Sequence, residues 1–139
     1  MKIGEAIARL RQVPDAIQSG IEASAPLLAD RISAGFDSGT DPYGRPWAPL
    51  SPRTLAKGRT PPPLTDTGAM RDAITVTGDG YSVAIYSPDE KSSWHQEGDG
   101  APGQDLPARP FLPESELPDT WVADMQQSID AEIGKLGLS

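Results

Sequence analysis

The single histidine of the chain, His95, is the side chain best suited to general acid–base catalysis. A serine or threonine triad needs such a histidine beside a hydroxyl and a carboxylate, but no nucleophile-elbow sequence is present. With one histidine and no cysteine, neither a histidine cluster nor a thiolate site for a metal ion can be built. We interpret His95 as a hydrogen-bonded structural residue near Trp94. A small hydrolase that uses His95 with an Asp or Glu is kept as an alternative.

Paired carboxylates are the second set of residues that could do chemistry, because two of them flanking a glycosidic bond can hydrolyse it. All the pairs lie in loop-like segments, and nothing in the sequence places one in the apolar pocket that an acid catalyst needs. The sequence therefore predicts a solvated acidic surface, with no catalytic, cofactor-binding or metal-binding residue and no cofactor. The pairs are Asp37/Asp41, Asp89/Glu90 and Glu114/Glu116.

Four short loop motifs combine proline with large apolar or aromatic side chains. Proline fixes φ and removes a backbone donor, so these motifs lie outside helix interiors and central strands. Stiff loops that carry such side chains are typical of a surface that docks on another protein, where Trp and Arg are enriched. The alternative is that Trp47 and Phe111 anchor the loops to the protein's own core. The residues predicted to lie at an interface are Tyr43, Trp47, Leu50, Arg53, Arg109 and Phe111.

Composition and charge limit the classes of function further. The chain has 139 residues, 37% of them hydrophobic, with 14 Gly and 15 Pro, which favours one folded, loop-rich domain over residues 1–139. The net charge of −8 and the lack of a basic run argue against nucleic-acid or anionic-membrane binding. An acidic surface nevertheless suits a passage through which DNA slides without sticking. The N-terminus has no long uninterrupted apolar run, so neither a signal peptide nor a membrane span is predicted.

The N-terminal part of the chain has the period of amphipathic helices. Apolar residues recur three or four apart, so residues 1–36 are predicted to be a helical region. One helix ends near Gln12, and a second has Pro14 in its first turn and a kink or break close to Pro26. From residue 37 to 67 no period persists, which predicts a long loop with a functional role. Its apolar side chains lead us to interpret it as a docking loop that reaches a neighbouring subunit or an adjacent ring.

The rest of the chain predicts a small sheet and a closing helix. In the sheet region, 68–113, two alternating segments flank Gly78-Asp79-Gly80, a strong hairpin signal, and Arg109–Leu112 is expected to form an edge strand. Residues 114–139 carry an amphipathic helix that starts after Pro118. The predicted fold class is α+β, with N-terminal helices, a small antiparallel β-sheet with a hairpin, a long proline-rich loop and a C-terminal amphipathic helix.

The loop motifs also follow one another in a particular order along residues 30 to 115. They are Phe36 and Asp41-Pro42-x-Gly44-x-x-Trp47-x-Pro49-Leu50 with Thr54, then Leu64-x-x-Thr67-Gly68-x-Met70-Arg71-x-Ala73-Ile74, then His95-Gln96-x-Gly98, and finally Pro107-Ala108-Arg109-Pro110-Phe111-Leu112. This series resembles the phage virion morphogenesis and tail completion protein family, of the Mu-like head–tail joining type. A single Pro-x-Gly-x-x-Trp is a weak signal, but four motifs in this order form a fairly specific one.

The resemblance implies a structural protein of the virion neck or upper tail, present in the host cytoplasm during assembly. Such proteins are not enzymes; they complete the tail or join it to the DNA-filled head as subunits of a six-fold ring. The implied partners are further copies of the chain, head–tail connector or adaptor proteins, and tail terminator or tail tube proteins. DNA passes through the ring without sequence-specific binding, and no membrane is involved. A tail terminator or tail tube-associated subunit is the alternative within the same particle.

Overall fold

The computed structural model describes residues 1–59, 63–64, 68–98 and 106–138. Within these ranges the chain contains helices and one two-stranded sheet, which confirms the predicted α+β class. The elements in chain order are α1 (Ile3–Leu10), α2 (Val13–Ser38), α3 (Pro52–Ala56), α4 (Ala69–Asp72), β1 (Thr75–Asp79), β2 (Ser82–Tyr86), α5 (Lys91–Glu97) and α6 (Asp119–Gly134).

The long helix α2 continues through Pro26, so of the two predicted alternatives the break is wrong and the kink stays a prediction. Proline has no N–H, and the carbonyl of Glu22 therefore lacks its usual helical donor. A regular row of buried side chains on both sides of Pro26 outweighs that loss, because burial stabilises a helix more than intrinsic propensity does. The row consists of Ala16, Ile21, Ala25, Leu28, Ile32 and Phe36.

Two compact units are formed by the chain. The first comprises Met1–Leu28, Val76–Ile85 and the segment from Asp119 onward, and the second comprises Ala29–Thr75 and Tyr86–Pro118. Helix α2 contributes residues to both units.

Close backbone contacts hold the first unit together. A Cβ built on Gly20 of α2 would lie 2.5 Å from the Cα of Ile129 in α6. A Cβ on Gly78 of β1 would lie 2.6 Å from the Cα of Glu22. Real Cβ contacts are never this short, so α6 and the hairpin pack against α2 at positions that only glycine allows.

The predicted hairpin is confirmed, but its turn lies further along the chain than expected. Gly78 and Asp79 belong to β1, and the turn is the pair Gly80-Tyr81, with Gly80 at φ +58°. Two-residue hairpin turns require positive φ, which glycine adopts without strain. Exposed and half-buried residues alternate along both strands, so one face of the hairpin is turned toward the protein.

The predicted loop over residues 37–67 contains regular structure that periodicity could not reveal. Helix α3 spans five residues and is capped by Ser51, whose hydroxyl accepts a hydrogen bond from the Thr54 N–H at 3.2 Å. A helix this short shows no hydrophobic period, and the signal for it is a capping serine followed by proline at the first helical position.

Residues 109–112 do not form the expected edge strand, so that prediction is wrong. The segment is extended and irregular, and its backbone groups bond to residues of helix α5 and to the Trp47 indole instead of to a strand. The Arg109 N–H donates to the carbonyl of His95 at 2.7 Å. The C-terminal helix, in contrast, follows Pro118 as predicted, and its Trp121 is buried.

Candidate assembly site

Asp41 organises the first proline-rich turn. Its side chain is buried, and its Oδ1 accepts the backbone N–H groups of Tyr43 at 2.9 Å and Arg45 at 2.8 Å. Its Oδ2 accepts the Arg45 Nε–H at 2.8 Å. Gly44, at φ +87°, donates its N–H to the Asp41 carbonyl at 3.0 Å. The Asp-Pro-x-Gly-x pattern therefore encodes a turn closed by its own carboxylate, with glycine at the left-handed position.

The outer side of this turn is exposed and carries an aromatic ring beside a cation. The Arg45 guanidinium lies 5.3 Å from the centre of the Tyr43 ring. The Tyr43 hydroxyl donates a hydrogen bond to the carbonyl of Glu116, which ties the turn to the segment before α6. Because both side chains are fixed before any partner arrives, binding through them would lose little conformational entropy.

Trp47 points inward, unlike Tyr43. Its indole N–H donates to the Pro110 carbonyl at 2.7 Å, and only 7% of the residue is exposed. Its ring packs edge-on against Phe36 with the ring centres 5.5 Å apart, and Phe36 also packs on Phe111 at 5.4 Å. These contacts place Trp47 and Phe111 in the core of the second unit, in agreement with the alternative interpretation. A contact between either residue and a partner stays a prediction.

Arg109 is a buried cation that binds loop carbonyls. Its Nε–H donates to the Ala48 carbonyl at 2.8 Å and its Nη2–H to the Pro49 carbonyl at 2.9 Å. Burial lowers the pKa of Arg109 from its ordinary value. The planar guanidinium donates in fixed directions, so one side chain holds two successive carbonyls of a stretch that has few donors of its own.

The six predicted interface residues therefore fall into two groups. Arg109, Trp47 and Phe111 are buried and hold the second unit together. Tyr43 and Arg53 are exposed and Leu50 is half-buried, so these three are available at the surface.

Gln96 performs the role that a neighbouring strand was expected to perform. Its Oε1 accepts the N–H groups of Phe111 at 3.0 Å and Leu112 at 3.1 Å, and its Nε2 donates to the Leu112 carbonyl at 2.8 Å. Gly98 ends α5 at φ +78°, and a Cβ there would lie 2.9 Å from the Leu106 carbonyl. The sequence signal for this clamp was an amide side chain next to a proline-rich segment that cannot form a full ladder.

The imidazole of His95 is less well satisfied than the sequence predicted. Nδ1 is buried without a hydrogen-bond partner among the described residues, so the expectation of a hydrogen-bonded histidine is wrong for this atom. Burial lowers the pKa of His95, the charges of Arg109 and Lys91 lower it further, and Asp89 opposes them. A triad base has its Nδ1 oriented by a carboxylate, and the described part of the chain provides none.

Arg71 is a central residue that the sequence analysis did not single out. Its Nη2 donates to the Ser33 carbonyl at 3.0 Å and contacts Asp37 Oδ1 at 2.7 Å. Its guanidinium also lies 5.6 Å from the centre of the Phe36 ring. It therefore connects α4 to the end of α2. The signal was its position directly after Met70 in the Thr-Gly-x-Met-Arg motif.

The carboxylate pairs are not assembled into a catalytic or metal site. Asp37 pairs with Arg71, and Asp41 is used within its own turn. Asp89 Oδ1 accepts the backbone N–H of Lys91, the first residue of α5, at 2.9 Å. In the described ranges no group of three or more His, Asp or Glu residues is placed to hold a metal ion. No helix among the same residues is long and apolar enough to cross a membrane.

The fold and these contacts define a small α+β protein whose loop motifs lock its own loops in place. The model of the phage virion morphogenesis family matches residues 1–132, and the chain belongs to this family. Its role therefore lies in building the phage particle, as a structural component. No curated protein and no solved structure matches the chain.

Proposed function

We propose that the protein is a subunit of the head–tail interface of a tailed phage, where it completes the tail or joins it to the DNA-filled head. The observation that carries the proposal is the family match over residues 1–132, read together with the loop backbone groups that Asp41, Gln96 and Arg109 bind. The protein acts by forming interfaces and not by catalysis.

The surface that would contact neighbours is formed by solvent-accessible residues of the second unit. Tyr43 lies on the turn that the Asp41 carboxylate closes, Leu50 follows the carbonyls that the Arg109 guanidinium binds, and Arg53 is an exposed residue of α3. A pre-formed surface suits the repeated contacts of a ring. The proposed partners are further copies of the chain and adaptor or tail proteins. An overall charge of −8 suits the wall of a DNA passage.

A phage or prophage that encodes the protein provides the test. Deletion of the gene is expected to leave DNA-filled heads and separate tails side by side in lysates examined by electron microscopy. Addition of the purified protein to the mixed lysate is expected to restore joined, infectious particles. Tails of uncontrolled length would favour the tail-terminator alternative, and normal particles would refute both assignments.

The hydrolase alternative is tested in the same lysate. His95→Gln protein is expected to restore particles as well as the parent protein at neutral pH, because neither the family nor the geometry assigns chemistry to the imidazole. Loss of complementation by a variant that is folded, as judged by circular dichroism, would favour a chemical role for His95.

A further inference from the structure

The first helix, α1, turns its apolar stripe toward solvent. Ile3, Ile7 and Leu10 are spaced four and three residues apart, so they share one face of the helix. Their exposed fractions are 80%, 44% and 56%, and no residue of α1 is buried. A surface helix usually turns such a stripe toward the core, so the orientation of α1 is reversed.

This orientation is held by the polar side of the helix. Arg9 Nη1 donates to the Gly137 carbonyl at 2.8 Å, which attaches α1 to the segment after α6. At the other end, the Lys2 N–H donates to the Glu5 carboxylate at 3.1 Å and closes the first turn. The apolar stripe is therefore displayed by a fixed helix, and a partner is needed to cover it.

The charge of α1 indicates what kind of partner fits. Residues 1–11 carry three basic side chains and one acidic side chain, a net charge of +2. Since the whole chain carries −8, the remaining residues carry −10. A surface that covers α1 should be apolar at its centre and acidic at its rim. An anionic membrane fits less well as the partner, because it would repel a chain whose net charge is this negative.

The chain itself carries exposed apolar side chains and carboxylates together just before α6, beside the Arg45 guanidinium, whose charge is paired with Asp41. Leu117 is 42% exposed, and it is preceded by the exposed carboxylates Glu114 and Glu116. Tyr43, 38% exposed, is tied to the same segment by the hydrogen bond from its hydroxyl to the Glu116 carbonyl. The Asp41 turn fixes Tyr43, so this surface is also formed in advance.

We propose that α1 of one copy docks on the surface formed by Glu114–Leu117 and Tyr43 of a second copy. The apolar stripe would cover Leu117 and Tyr43, while Lys2 and Arg11 would face the two glutamates. This inference rests on the proposed function, in which copies of the chain form a ring. Two different surfaces make a heterologous contact, and such contacts repeat around a ring until it closes.

The contact is small compared with the interface of a stable dimer, which buries roughly 1,200–2,000 Å². Isolated pairs of subunits should therefore be short-lived, and closure of the ring or attachment to the particle would add the remaining contacts. A trapping method is the appropriate test for such a contact.

The absence of native cysteine makes disulfide trapping free of background. Ile7→Cys and Leu117→Cys proteins of different tagged mass are mixed and oxidised with copper–phenanthroline. The expected product is the mixed dimer of the two variants, with neither homodimer formed to a comparable extent, because thiols pair only when their Cα atoms approach within about 7 Å. Ala123→Cys, an exposed position on α6, replaces either partner as the matched control and should give no product.

Other outcomes overturn the inference. Homodimers of Ile7→Cys alone would show that two α1 helices pair symmetrically. A double variant that forms only a monomer with an internal disulfide would show that α1 folds onto its own chain. Absence of the mixed dimer at the highest soluble concentration would also contradict the contact. So would binding of the Ile7→Cys protein to anionic vesicles when the Leu117→Cys protein is present as the competing partner.

Charge reversal separates this inference from the proposed function. Lys2→Glu with Arg11→Glu should abolish the mixed disulfide, and adding Glu114→Lys with Glu116→Lys to the Leu117→Cys partner should restore it. Each set of variants is also added to lysates that lack the protein. Head–tail joining that survives loss of the disulfide would refute the α1 contact and leave the proposed function intact. Failure of the parent protein to join heads and tails would refute the function itself.

Discussion

Single polar side chains provide much of the order in the loops of this protein. Asp41, Gln96 and Arg109 bind backbone groups that proline-rich segments cannot pair in a ladder. Buried backbone groups must find partners, and here side chains supply them. Because each of the three side chains satisfies two or more groups, each should be sensitive to changes in its hydrogen-bonding pattern.

The Asp41 carboxylate is expected to stabilise its turn mainly through backbone N–H groups. Asp41→Ala leaves those groups without their acceptor and should lower the free energy of unfolding by about 1–3 kcal/mol. Arg45→Ala removes the ion pair and the contact with the Tyr43 ring, both on the exposed side of the turn, and a change of about 0–1 kcal/mol is expected. Urea denaturation of both variants provides the comparison. Equal losses would show that the ion pair, and not the Asx-type turn, holds the loop.

Gln96→Glu tests the amide clamp with almost no change in size. The new carboxylate lacks the Nε2–H that donates to the Leu112 carbonyl. In its place a carboxylate oxygen faces the Leu112 carbonyl oxygen, and two acceptors repel each other. A loss of about 1–3 kcal/mol in the free energy of unfolding is expected. Gln127→Glu, on the exposed side of α6, is the matched control and should change stability little. Similar effects of both variants would mean that added negative charge, not the clamp, is responsible.

His95 should give the protein a dependence of stability on pH. Burial and the charges of Arg109 and Lys91, partly opposed by Asp89, place the pKa of His95 in the folded protein below 6.5. As pH falls below 6.5 the unfolded chain binds a proton first, so stability is lost down to the lowered pKa. His95→Gln should lose less stability than the parent between about pH 7.5 and about pH 5.5. Parallel stability curves for the two proteins would contradict this assignment.

At the scale of elements, the sequence predicted those whose signal is local. Pro118 and Asp119 mark the start of α6, and the alternation around Gly80 marks the hairpin. The predicted helix break at Pro26 was wrong, because burial of side chains along α2 outweighs the missing N–H of the proline. That burial depends on contacts between residues that are distant in sequence. The expected strand at 109–112 failed because an amide side chain replaces the ladder. The proline-rich motifs with aromatic side chains identified the candidate site in the sequence. Whether an aromatic side chain is buried, as Trp47 and Phe111 are, or exposed, as Tyr43 is, depends on tertiary packing.

Gly20 tests how closely α2 and α6 pack, and Gly4 of α1 is the control. A Cβ on Gly20 would lie 2.5 Å from the Ile129 Cα, a backbone atom that cannot move alone, so Gly20→Ala should cost about 1–3 kcal/mol or more. Gly4 is also helical, but nothing lies within 4 Å of its Cβ position. Gly4→Ala should therefore stabilise the protein by about 0.5–1 kcal/mol. Thermal denaturation distinguishes the two, and a stabilised Gly20→Ala protein would show that the helices do not approach this closely.

The charge of the whole molecule bears on the proposed DNA passage. With 12 basic and 20 acidic residues the chain carries −8, and its most basic segment, residues 42–65, carries four basic side chains and no acidic one. Backbone-directed DNA binding requires several cations placed along the phosphates, and its affinity is highest at low salt. The purified protein should therefore fail to retard duplex DNA even at about 50 mM salt. A basic protein of similar mass serves as the positive control in the same gel. Retardation that weakens as salt is raised would reveal a phosphate-binding surface and would contradict a passage through which DNA slides freely.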